Sequence, residues 1–119
     1  MTHTEREFGE VTVIDIDGRV TIQDGADEFR EVARELIRNG RVRLVLNMKN
    51  VPYIDSTALG EIIRTYTSVT RHNGSLKLLN VSSHVHQLLV ITSLLSVFDL
   101  FDAEEEAVKS FGHPRAAQH

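Results

Sequence analysis

The chain has 119 residues, of which 41% are hydrophobic and 25% are charged, and this length supports one domain with a single core. The formal net charge of −4 argues against nucleic acid as the main partner, because phosphate binding needs a basic face. The sequence contains no cysteine, which excludes disulfides, thiol catalysis and cysteine-based metal sites.

The two ends of the chain are polar. Residues 1–7 are unlike a signal peptide, and we expect them to form a tail ahead of a domain at residues 8–111. Residues 112–119 show no periodicity, and we expect them to be disordered. No apolar run approaches the ~20 residues that a membrane span needs. The sequence therefore predicts a cytoplasmic protein without a membrane span.

The first predicted elements are a hairpin and a helix. β-Branched residues at 11–16 indicate a strand, and Asp17-Gly18 indicates a two-residue turn, after which Val20 and Ile22 carry the returning strand. A helix ending near Gly40 follows, because apolar residues recur there at helical spacing. These residues are Phe29, Val32, Ala33, Leu36 and Ile37.

Strands and helices alternate in the rest of the chain, which is an α/β pattern with parallel strand neighbours. The last helix is expected to start with a capping pair, Asp102 and Glu105, and to dock through Val108 and Phe111. The predicted elements before it are a strand at 42–46, a helix from Ser56 to about Gly74, a strand at 76–79, a helix capped by Ser82 or Ser83, and an edge strand at 97–101.

The most informative stretch is Asp55-Ser56-Thr57-Ala58-Leu59-Gly60, at the predicted turn from a strand to a helix. Free backbone N–H groups and the positive end of the helix dipole converge at such a turn and accept a phosphate readily. Ser56 is therefore either an ordinary helix N-cap or a phosphorylation site. Spacing alone favours the cap, because Ser, Thr and Asp are the usual residues there.

Residues 53–60 resemble the signature of the STAS domain family of bacterial anti-sigma-factor antagonists, in which Asp-Ser is followed by a small residue and Gly-Leu-Gly. Asp17-Gly18-Arg19-Val20 is similar to the early Gly-x-Leu turn of the family, and residues 44–47 and 74–81 are similar to two of its strands. The resemblance covers about residues 8–110. It implies a single small STAS-type domain with a mixed sheet of four or five strands and about four helices, mainly on one face.

The resemblance also implies a binding module rather than an enzyme. Ser56 would be phosphorylated by an anti-sigma factor with serine kinase activity, and the unmodified chain would bind that kinase and so release a sigma factor. A phosphatase would reset the switch, and no cofactor is expected because the kinase supplies ATP. The implied partner-binding residues are Thr21, Asp24, Asp55, Ser56, Thr57, Ala58 and Glu61.

Two departures from the family pattern favour a rival interpretation. Ala58 replaces the usual first glycine of the signature, and Thr21 stands where an acidic residue is common. The rival is a constitutive component of a lipid-transport or signalling complex, in which Ser56 is not phosphorylated. A small-ligand binder is a third interpretation. The aliphatic run at 88–95 either lies under a loop or docks a partner helix or a second copy, so the oligomeric state is open and includes a dimer.

Other chemistry has little support in the sequence. Ser56 lacks the Gly-x-Ser-x-Gly frame of a hydrolase nucleophile, and no phosphate-binding glycine loop occurs. His84 and His86 are one residue apart, which separates them by roughly 200° on a helix and prevents shared metal ligation. The sequence therefore predicts neither catalytic residues nor a metal site.

Overall fold

A computed structural model describes residues 1–112 and contains one five-stranded mixed sheet in the order β1-β2-β3-β4-β5. β1 is antiparallel to β2, and the other neighbours are parallel. The strands are β1 (Thr2–Phe8), β2 (Val11–Asp17), β3 (Arg43–Asn50), β4 (Ser75–Leu79) and β5 (Asp99–Phe101). The helices are α1 (Ala26–Arg38), α2 (Ser56–Arg71), α3 (Ser83–Ile91) and α4 (Glu104–Lys109), and a 3-10 turn (Ser110–Gly112) follows α4. The predicted fold class is confirmed.

The N-terminal residues form a strand, so the prediction of a polar tail at 1–7 is wrong. β1 pairs with β2 from Thr2 opposite Asp17 to Phe8 opposite Val11. The two residues between the strands include Gly9, whose φ of +62° suits the first central position of a type II′ hairpin turn. The side chains of β1 are largely exposed, and their lack of a buried face is the reason that no apolar alternation marks this strand.

The predicted hairpin at Asp17-Gly18 is also wrong. β2 already has β1 on one side and β3 on the other, so no edge of β2 is free for a returning strand. Instead, Val20 forms a single parallel bridge with Ile54, and the Val20 N–H donates to the Tyr53 carbonyl at 3.2 Å. This bridge brings the segment before α1 to the start of α2.

The two faces of the sheet carry different helices. Ile14 and Leu46 lie opposite each other on the face that packs against α1, α2 and α3, whereas Val13 and Val45 lie on the face covered by α4. Three of four helices thus share one face, as predicted. Phe111 packs against the smaller core on the α4 face, as does Val108, which confirms the expected docking.

The predicted capping pair at the start of α4 is wrong. The N-cap residue is Ala103, and no side chain caps this helix. Glu104 is bound by the guanidinium of Arg6 in β1, and Glu105 pairs with Lys109 at 2.7 Å. The cap of α3 is Ser82, which was one of the two predicted residues. Most of the tail predicted at 112–119 lies outside the described residues, and Gly112 ends the 3-10 turn.

Candidate binding surface at the start of α2

Asp55, and not Ser56, is the N-cap of α2. The backbone of Asp55 is extended, and its Oδ1 accepts from the Ala58 N–H at 2.9 Å. Its Oδ2 accepts from the Ile22 N–H at 2.8 Å. The Ile22 hydrogen bond is the main cause that holds the pKa of Asp55 below its ordinary value, with further help from the N–H groups of Ala58 and Thr57. The interpretation of Ser56 as the cap is therefore wrong, because the preceding residue holds that position.

Ser56 is the first residue of α2, and its side chain is exposed. Within residues 1–112, its hydroxyl takes part in no hydrogen bond. The first turn of α2 carries no acidic side chain, so the positive end of the helix dipole is offset there by the Asp55 cap alone. Thr57, the neighbouring hydroxyl residue, is half-buried. Ser56 thus presents the more accessible hydroxyl at a position that favours a negative charge.

A tight loop at residues 21–25 lies next to Asp55, the residue before Ser56. The Thr21 N–H donates to the Asp24 carbonyl at 2.8 Å, and the Asp24 N–H donates back to the Thr21 carbonyl at 3.1 Å. The loop is tied to α2 through Asp55, whose N–H donates to the Val20 carbonyl at 3.3 Å and whose carboxylate binds the Ile22 N–H. Five of the predicted partner-binding residues are therefore brought together: Thr21, Asp24, Asp55, Ser56 and Thr57.

The structure does not bring the other two predicted residues to this surface. Ala58 is fully buried in the main core. Glu61 is also buried, and its carboxylate binds Arg64 at 2.8 Å and lies 3.7 Å from Arg30 of α1. Both residues lie on the face of α2 that packs inward, so their side chains take part in the core and in the α1–α2 packing and are not exposed at this surface.

The loop and the start of α2 border a groove of about 340 Å³ that the sequence did not predict. Its walls include Arg19, Ile22 and Tyr53 beside the residues already named. Ile22 is 65% exposed and Tyr53 is 39% exposed, which is unusual for large apolar side chains. The ring of Tyr53 lies 4.6 Å from that of His84, at the start of α3. Neither Arg19 nor Tyr53 was predicted as a partner-binding residue, and Ile22 was assigned to a returning strand.

Residues 1–112 contain no group of three or more acidic or histidine side chains placed to hold a metal ion. In the same residues, no helix has the length and apolar character that crossing a bilayer requires. The chemistry that the surface offers is that of a free hydroxyl, a helix N-terminus and an adjacent groove.

The fold is that of a small α/β domain, and comparison with known proteins gives its family. The model of the STAS domain matches residues 4–107, and the chain belongs to the STAS domain family. Its curated relatives are anti-sigma factor antagonists. The anti-sigma-B factor antagonist of Bacillus subtilis is 33% identical over 96 residues, which are 81% of this chain and 86% of that protein.

Solved structures share the fold. A protein from Thermotoga maritima superposes with a TM-score of 0.85 at 23% identity, covering 91% of this chain and 92% of its own. The Bacillus cell-fate determinant SpoIIAA in its phosphorylated form superposes with a TM-score of 0.75 at 19% identity, covering 92% of this chain and 99% of its own.

Proposed function

We propose that this chain is an anti-sigma factor antagonist switched by phosphorylation of Ser56. The unphosphorylated chain binds an anti-sigma factor that is also a serine kinase, and this binding releases a sigma factor. The observation that carries the proposal is the exposed hydroxyl of Ser56 at the first position of α2, beside a cap that Asp55 provides. The relatives named as anti-sigma-B factor antagonists support it.

Asp55 caps α2 and leaves the hydroxyl of Ser56 free, an arrangement that suits a phosphorylation switch. Because Asp55 satisfies the helix start, a phosphate on the Ser56 oxygen displaces no hydrogen bond of the described residues. The helix N-terminus favours the added negative charge, so the chain needs little rearrangement to carry it. Phosphorylation therefore changes the surface rather than the fold.

The electrostatic change is large enough to control binding. Phosphorylation adds about −1.5 to −2 charges in the middle of the proposed contact surface. These charges oppose desolvated partner groups and the phosphates of a nucleotide bound to the kinase. A loss of about 3 kcal/mol weakens binding on the order of a hundredfold, which suffices for a switch.

The chain itself contributes a binding surface and an acceptor hydroxyl. The kinase supplies ATP and the transfer chemistry, so the chain needs no cofactor, and a phosphatase restores the unmodified form. The proposal places this exchange in the cytoplasm, where sigma factors and their inhibitors meet RNA polymerase.

The test uses the full chain with ATP and the serine kinases encoded near its gene, followed by mass-spectrometric mapping of phosphate. We expect one phosphate, on Ser56, and at least a tenfold loss of kinase affinity after modification. Ser56→Ala should abolish labelling, whereas the matched variant Thr57→Ala should retain it. Phosphate on Thr57, Ser82 or Ser83 instead would contradict the assignment. A partner that binds the chain while no kinase labels Ser56, with an affinity that incubation with ATP leaves unchanged, would favour the constitutive component.

A further inference from the structure

The groove beside Asp55 contains a guanidinium, that of Arg19, which no carboxylate contacts within residues 1–112. Within residues 1–112, Arg19 forms no ion pair and no side-chain hydrogen bond, whereas most arginines of these residues are paired with carboxylates. The paired residues are Arg6, Arg30, Arg34, Arg38, Arg41, Arg43 and Arg64. Arg71 is also unpaired, but it lies in the last turn of α2, where the helix dipole favours a cation.

The two carboxylates that line the groove are already engaged. Asp55 accepts backbone N–H groups with both of its oxygens. Asp24 pairs at 2.9 Å with the α-ammonium group of Met1. Thr21 and Gln23, which also line the groove, are uncharged. The Met1 ammonium group is the main cause that lowers the pKa of Asp24, and Arg19 adds a weaker attraction at longer range. Within the described residues no carboxylate lies at ion-pair distance from Arg19, so its guanidinium can still bind a carboxylate of a partner.

The backbone fixes where Arg19 lies. Val20 and Ile54 form a parallel bridge and are both buried. Side chains alternate across extended backbone, so the residues on either side of this pair face outward. Arg19 consequently lies beside Tyr53 at the rim of the groove, and the exposed Ile22 closes its other side. The groove combines one cation with two large apolar side chains.

We infer that the partner at this surface inserts an acidic side chain flanked by an apolar residue, with the carboxylate on Arg19 and the apolar group on Ile22 and Tyr53. This inference rests on the proposed function and specifies the chemistry of its partner. A guanidinium binds a carboxylate with two parallel hydrogen bonds, which fixes orientation as well as charge. Tyrosine supplies a rigid contact area with little loss of side-chain entropy, as at many binding hot spots.

The test measures calorimetric affinity between the full unphosphorylated chain and the kinase found in the labelling experiment. Arg19→Glu should weaken binding at least about tenfold, because a like charge then faces the partner's carboxylate. Arg19→Lys should lose only a few-fold, since the charge remains but the paired hydrogen bonds do not. Arg71→Glu is the matched control, because it makes the same charge change at the other end of α2, about 22 Å from the first residue of that helix. Its affinity for the kinase should stay within about twofold of the wild-type value.

Exchanging the charges of Arg19 and of its partner residue distinguishes a direct contact from a general electrostatic effect on binding. Acidic surface residues of the kinase are replaced one at a time by lysine, and one of these variants should bind Arg19→Glu more tightly than the wild-type kinase does. Thermal unfolding of each variant verifies that it is folded. The inference is overturned if Arg19→Glu binds the kinase like Arg71→Glu, or if no lysine variant restores its affinity. If the wild-type chain binds no such kinase, the proposed function fails together with the inference.

Discussion

Asp55 and Ser56 are adjacent but have separate tasks in this structure. Asp55 joins the first turn of α2 to the 21–25 loop, and the hydroxyl of Ser56 stays exposed beside it. A single residue serving as both cap and phosphate acceptor would lose its capping hydrogen bond on modification. In this chain the cap is Asp55 and the proposed phosphate acceptor is Ser56, so substitutions can separate the two roles.

Substitutions of Ser56 should change signalling while leaving the fold intact. Ser56→Ala should cost less than about 1 kcal/mol of unfolding free energy, because the cap is Asp55, and should bind the partner persistently. Ser56→Asp should be as stable as the wild type, since the dipole favours its charge, but should bind the partner more weakly. Urea denaturation and calorimetry measure both effects. Equal partner affinity of the two variants would show that charge at this position is not the switch.

Asp55 should contribute stability that disappears in acid. Its folded-state pKa is lowered, chiefly by the Ile22 N–H, so the carboxylate stabilises the fold above its unfolded pKa of about 3.9. The contribution is lost as pH falls through the lower, folded-state pKa. Asp55→Ala should therefore cost about 1–2 kcal/mol at neutral pH and much less in strong acid. Urea unfolding at several pH values tests this, with Asp27→Ala on exposed α1 as the control.

The sequence placed Ser56 at the start of a helix, but it did not predict the groove. The Asp-Ser pattern and the strand-to-helix turn were enough to place Ser56 at a helix start. Which of two adjacent cap-competent residues caps the helix depends on backbone angles that spacing does not reveal. Arg19 and Tyr53 were not predicted to line this surface, because their position depends on the single bridge between Val20 and Ile54, a long-range contact without a local signal.

At the scale of elements, Arg6 connects the N-terminal hairpin to α4. Its Nε donates to Asp15 Oδ2 at 2.6 Å and its Nη2 donates to Asp15 Oδ1 at 2.9 Å. Its Nη1 donates to Glu104 Oε2 at 3.0 Å. α4 has only six residues and no side-chain cap, so this ionic contact supplements a small apolar interface. The strand and the helix thus stabilise each other across the sheet.

Arg6→Ala should destabilise the protein by about 1–2 kcal/mol, because it removes a bidentate contact and a second carboxylate partner from a half-exposed site. Backbone amides of α4 should exchange hydrogen faster in this variant. Arg43→Ala is the control, since Arg43 makes a single, longer contact of 3.6 Å with Glu10. If the two variants are equally stable and the amide exchange rates of α4 do not change, the Arg6 contacts do not stabilise the attachment of α4.

Most elements that the sequence predicted bury apolar side chains at regular spacing. β2, α2 and β4 were found close to their predicted bounds, whereas β3 runs four residues beyond its predicted end at 46. β5 was also predicted, although its residues are only half-buried. β1 and the start of α4 are held mainly by backbone pairing and by charged contacts between residues distant in sequence. Local hydrophobic periodicity does not reveal such contacts, and β1 and the start of α4 were therefore misassigned.

At the scale of the whole molecule, phosphorylation should act without a change of fold. Ser56 belongs to neither of the two apolar cores. Nuclear magnetic resonance spectra of chain carrying phosphoserine at 56 should therefore show shifted amides only near residues 19–25 and 53–60. The smaller core under α4 provides the internal control. Shifts that spread through β1 and α4 would indicate a conformational switch instead.

β1 is an edge strand of seven residues, and in the described part of the chain its backbone pairs only with β2. The backbone N–H and carbonyl groups on its outer side are therefore unpaired there. Such an edge is a template on which another chain can add a strand and begin fibre growth. Glu5, Arg6 and Glu7 stand along it, and charged side chains oppose that addition. The polar side chains of β1, which left no apolar alternation in the sequence, therefore oppose aggregation. Replacing both Glu5 and Glu7 by threonine should make the protein aggregate faster, which light scattering would measure.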